Sequence, residues 1–154
     1  MTSKKTVVFS LMIAIAFHWV GLSALAQGGD KYRARLAPVP ALVNAKTIPI
    51  TSVAGLGASS ATLSGRKLTI SGSFENMASA ATVARVHLSP ITGVRGSSLF
   101  DLTVSKTGDG KSGSIAGAFD LTAEQVDALR KGRLYIQIHS EGVPTGHLMG
   151  WLLK

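Results

Sequence analysis

Residues 132–154, GRLYIQIHSEGVPTGHLMGWLLK, decide how this chain folds. In residues 134–139, Leu134, Ile136 and Ile138 fall on one side of an extended chain, and Tyr135, Gln137 and His139 on the other. A connection follows over 140–146, punctuated by Glu141-Gly142 and Pro144-Thr145-Gly146, residue types that turn the backbone. A second strand is expected from His147 to about Leu153. The connection sets His139 and His147 at the two strand ends that face it, so a hairpin brings them together. Two of the chain's four histidines are thereby expected at one edge of a sheet.

Composition bounds what surrounds this hairpin. The chain has 154 residues, 45% of them hydrophobic, which suits one domain with a substantial core. Glycine is abundant and aromatic residues are few, favouring short strands and tight turns over long helices. The formal charge is +8, yet Lys and Arg are scattered, with only short pairs such as Arg66-Lys67 and Arg130-Lys131. No basic run is interleaved with aromatics, which argues against a nucleic-acid partner and for a solvated surface attracted to anionic surroundings.

The N-terminal segment has the layout of a signal peptide over residues 1–26. Lys4 and Lys5 form a positive start, residues 6–20 are apolar, and Ala24-Leu25-Ala26 matches a small-residue cleavage site. The apolar stretch is short for a transmembrane anchor and is interrupted by His18, so no stable membrane span is expected once the signal is removed. These features place the mature chain in the periplasm or outside the cell. There is no cysteine, so neither a lipidated cysteine nor a disulfide is available, and packing alone must hold the fold.

Residues 27–31 read as a flexible new N-terminus, and 32–154 as the domain. A first strand is expected over 32–36. Residues 37–50 carry three prolines and read as an edge segment or loop, because proline lacks the ladder donor. Residues 53–63, rich in Gly, Ala and Ser, suggest one irregular strand. The stretch 67–74 places Leu68, Ile70, Gly72 and Phe74 on one face. Further strands are expected over 82–88, 98–105 and 112–119. One helix interrupts them. Thr122-Ala123-Glu124-Gln125 is a capping box, Val126 and Leu129 follow as a short apolar stripe, and Gly132 supplies a left-handed stop. Short strands with many glycine turns imply an antiparallel sandwich or barrel, with the helix across one end.

The ordered set Ala84-Arg85-Val86-His87, Gly93-Val94-Arg95-Gly96, Leu121-Thr122, Gln125-Val126, Ala128-Leu129, the run 132–140 and Pro144-Thr145-Gly146 resembles the CHRD domain. That module is named from chordin and is present in many exported bacterial proteins. The resemblance covers about residues 32–151. It implies a mainly β, antiparallel Greek-key β-sandwich with one short helix, immunoglobulin-like or distantly similar to Cu/Zn superoxide dismutase. In animals the domain belongs to extracellular proteins that bind other proteins, which implies an extracellular or envelope protein as partner here. The resemblance supplies no defined activity. Two departures stand out. The family's A-H-[IV]-H strand is here Ala84-Arg85-Val86-His87, and its P-x-G-E-[IL]-R-G ending is here Pro144-Thr145-Gly146-His147-Leu148-Met149-Gly150.

Two functional readings follow. The first is an exported, non-enzymatic binding or structural module. The second is a copper- or zinc-binding protein, with redox chemistry as one use of the metal, and His87, His139 and His147 as ligands, since three neutral imidazoles with water in the open position suit either metal. Against it, the Arg85 guanidinium beside His87 repels a divalent cation, and the histidines can instead bond backbone groups or pair with Glu141 or Asp101. Arg85 is expected either to pair with Glu141 or to anchor an anion. Catalysis of other kinds finds no support: there is no G-x-S-x-G elbow, P-loop or dinucleotide fingerprint, and the carboxylates are dispersed in turns and at the helix start.

Overall fold

The computed structural model describes residues 28–39, 42–43, 46–47 and 54–154. The signal-peptide expectation for 1–26 and half of the proline-rich segment 37–50 lie outside these residues. Along the chain run β1 (Asp30–Pro38), β2 (Leu42–Val43), β3 (Lys46–Thr47), β4 (Leu56–Ser64), β5 (Lys67–Glu75), β6 (Ala81–Leu88), β7 (Ser97–Thr107), β8 (Ser112–Asp120), α1 (Ala123–Arg130), β9 (Leu134–Ser140) and β10 (Leu148–Trp151). Among the described residues, β2 and β3 pair only with each other.

The remaining eight strands close into a barrel in the order β1-β10-β9-β6-β7-β8-β5-β4, all pairs antiparallel. The antiparallel, mainly β class with one short helix is as expected. The two separate sheets of a Greek-key sandwich are not what forms. Closure comes from two strands that serve both walls. β7 pairs with β6 up to Leu102 and then with β8 from Thr103 onward. β1 pairs with β4 from Asp30 to Leu36 and with β10 at Ala37 and Pro38, reinforced by a bridge from Arg33 to Leu153. Closure leaves no open strand edge in the ring, which is how a barrel avoids edge-to-edge association.

Period-two patterning accounts for the interior. β5 buries Leu68, Ile70 and Phe74, as its alternation implies. The Gly/Ala/Ser-rich stretch before it is a regular strand rather than an irregular one: β4 alternates throughout, turning Gly57, Ser59, Ala61 and Leu63 inward. Leu36, Val86, Ile115, Ile136, Ile138 and Leu148 join the same core, each at most 1% exposed. Full burial of such a side chain stabilises by about 1.5–3 kcal/mol. No disulfide adds to that, since the chain has no cysteine.

Helix α1 starts where the capping box places it. The Thr122 hydroxyl accepts from the Gln125 N–H at 3.3 Å, and the Gln125 side-chain oxygen accepts from the Thr122 N–H at 2.9 Å. Val126, Ala128 and Leu129 pack into the barrel core, and Gly132 ends the turn at φ +66°.

β9 differs from its neighbours because all seven of its residues are buried. Leu134, Ile136 and Ile138 point inward, as the alternation requires. Tyr135, Gln137 and His139 point outward but lie beneath two loops. Residues 89–96 cover Tyr135, and residues 141–147 cover Gln137 and His139. This covered outer face of β9 holds the candidate site.

Candidate functional site

The three histidines singled out by the sequence separate into a pair and a single. His87 is on β6 and His139 on β9, and their ring centroids stand 6.3 Å apart with planes inclined by 30°. His87 also stacks on Tyr135 at 4.9 Å and 13°, and Tyr135 packs on Trp151 at 4.8 Å. The register puts His87 directly opposite Tyr135, and Trp151 opposite Tyr135 on its other side. A row of rings therefore crosses the outside of three adjacent strands.

Each ring of the pair is held through one nitrogen only. The Nδ1 of His87 lies 3.3 Å from the Gly96 carbonyl, and the Nδ1 of His139 lies 2.8 Å from the Pro144 carbonyl. A carbonyl oxygen can only accept, so each Nδ1 carries the proton and donates. That leaves Nε2 of each neutral ring as a bare lone pair. Both Nε2 atoms are buried and have no hydrogen-bond partner among the described residues. An unsatisfied buried acceptor costs about 1–3 kcal/mol, so the fold carries this arrangement at a disadvantage.

Burial favours the neutral form of His87. Burial pushes its pKa below the ordinary value. The bond to Gly96 works in the opposite direction, and the positive charges of Arg85 and Arg95 lower the pKa further.

His147 serves the fold instead. It is fully buried; its Nε2–H donates to the Ala54 carbonyl at 2.7 Å, and its Nδ1 accepts from the Ser140 hydroxyl at 2.7 Å. Ser140 also accepts from the Ser79 hydroxyl at 2.9 Å and from the Val143 N–H at 3.2 Å. His147 thus ties the connection between β9 and β10 to the residues before β4. Among the described residues, no group of three or more His, Cys, Asp or Glu stands together as a metal-holding set.

Arg85 pairs with Asp101 rather than with Glu141, its Nε donating to Oδ1 at 2.7 Å. The two residues are direct cross-strand neighbours in the β6–β7 register, which is the physical reason for the choice. Both side chains are exposed, so the pair is worth about 0–1 kcal/mol at most. Glu141 is exposed, and its backbone N–H bonds the Ala80 carbonyl.

Sequence reasoning overlooked Tyr135 and Gly96. The Tyr135 hydroxyl donates to the Gly96 carbonyl at 3.2 Å and accepts from the Gly96 N–H at 3.0 Å. A Cβ on residue 96 would sit 1.8 Å from the Leu88 carbonyl oxygen, so only glycine fits. A polar-tipped aromatic alternating with His139 on one strand face was the available signal.

A family model described as the CHRD domain matches residues 40–152 of the chain. No curated protein and no solved structure matches it.

Proposed function

The chain belongs to the CHRD domain family, and on that premise we propose that it is an exported, non-enzymatic binding or structural module of the cell envelope or extracellular space. Its partner is another protein of that compartment. One observation carries the binding reading: the barrel interior is filled. Leu36, Leu68, Ile70, Phe74, Ile115 and Ile136 occupy it, so recognition falls to the outer surface and its loops. On that surface Ile91 and Val94, in the loop that covers Tyr135, are 62% and 49% exposed. Export rests on Lys4, Lys5, the apolar stretch 6–20 and Ala24-Leu25-Ala26. No helix among the described residues is long and apolar enough to cross a membrane.

Expression of the full chain in a secreting host, with intact-mass analysis of each fraction, tests export. The expected product begins at Gln27 and is found in the periplasm or medium; a full-length product kept in the cytoplasm refutes export. A photo-cross-linking residue at Ile91 should capture a discrete envelope or extracellular protein, and the same residue at exposed Lys106 should not. Equal capture at both positions refutes the surface assignment.

A further inference from the structure

We propose that His87 and His139 form a two-coordinate site for monovalent copper, held by their two Nε2 atoms. This goes beyond the module reading and does not depend on where the protein works.

Three observations converge on it. Both side chains are more than nine-tenths buried, at 9% and 8% exposure, yet each keeps an Nε2 with no partner among the described residues. Each ring's other nitrogen is fixed on a backbone carbonyl, Gly96 for one and Pro144 for the other, which sets the tautomer with its lone pair at Nε2. A metal-ligating histidine needs that same anchorage to orient its ring. The spacing also fits. With both Nε2 atoms turned to one ion, two metal–nitrogen bonds of about 2.0 Å and the inner half of each ring span about 6 Å. The centroids stand 6.3 Å apart.

The choice of ion follows from what surrounds the pair. Zinc takes four ligands, and among the described residues no set of three His, Cys, Asp or Glu is assembled. His147 contributes nothing, since both its nitrogens are engaged by Ser140 and Ala54. Arg95 is a positive charge near His87, Arg85 is offset by its pairing with Asp101, and among the described residues no carboxylate joins the histidine pair to balance the charge of a divalent ion. Monovalent copper carries half that charge, accepts two nitrogen donors in a line, and is well served by imidazole.

The test uses the purified full chain under anaerobic, reducing conditions, titrated with Cu(I) against a chromogenic Cu(I) chelator. One copper per chain should be retained, and His87→Gln and His139→Gln should each weaken retention at least tenfold while melting cooperatively. Should either variant fail to fold, the wild type decides: Cu(I) should shift the ring ¹⁵N signals of His87 and His139 and leave those of His147 in place. Failure of the wild type to retain Cu(I), as expected if a water bridges the two nitrogens, overturns the proposal. So does stoichiometric Zn²⁺ binding without Cu(I) binding, undiminished copper in both folded variants, or a ¹⁵N shift at His147 alone.

Discussion

Tyr135 grips Gly96 twice: its hydroxyl donates to the Gly96 carbonyl at 3.2 Å and accepts from the Gly96 N–H at 3.0 Å. The same carbonyl receives His87 Nδ1–H, so the tyrosine aims a histidine it also stacks against. Tyr135→Phe removes both bonds without opening a cavity and takes the partner from the Gly96 N–H, while the Gly96 carbonyl keeps His87. It should cost about 1–3 kcal/mol, read as a lower urea midpoint. It should also broaden or shift the ring signals of His87. A stability change under about 0.5 kcal/mol with His87 unmoved contradicts this role.

His147 should behave as a structural residue. His147→Ala takes the acceptor from the Ser140 hydroxyl and one of the two donors from the Ala54 carbonyl, and opens a cavity at a fully buried position. A loss of about 2–4 kcal/mol is expected by equilibrium denaturation. A near-neutral change would show that the connection between β9 and β10 is held by something else.

The pH dependence of stability should carry the mark of His87, whose folded pKa lies below the ordinary value of about 6.5 because it is buried. Above 6.5 the ring is neutral folded or unfolded, and the contribution is complete. Below 6.5 the unfolded chain takes up a proton that the folded chain refuses, so stability falls until the pH reaches the depressed folded value. The lowered carboxylates act in a more acid window. Asp30 is held down by Lys154, Asp109 by the Lys111 backbone and side chain, and Glu124 by Thr122, and each loses its contribution only as pH falls below about 4. Thermal melts between pH 7.5 and 5 should fall for the wild type and flatten in His87→Gln. Parallel slopes for both proteins contradict the assignment.

Local signals carried much of this architecture. Alternation in residues 134–139 put Leu134, Ile136 and Ile138 inward, and Thr122 with Gln125 marked the helix start to the residue. Closure was not legible, because it depends on pairings far apart in the chain. Ala37 meets Met149, and β7 changes partner at Thr103, neither of which leaves a local pattern. Small residues concealed β4 for a related reason, since Gly57, Ser59 and Ala61 alternate without the bulk that signals a strand. At the site, the histidines were visible as residue types but not as roles. What separates His147 from His87 and His139 is its reach to Ala54, 93 residues away in sequence. The partner of Arg85 was settled by strand register, which placed Asp101 opposite it and left Glu141 in a loop.

A long-range ¹H–¹⁵N spectrum of the histidine rings, recorded at about pH 8 without added metal, examines the bare nitrogens themselves. His87 and His139 should both carry the proton on Nδ1 with Nε2 unprotonated, and His147 should show the opposite tautomer. A proton on Nε2 of His87 or His139 would mean that the buried lone pairs do not exist, and the paired-histidine site would fall with them.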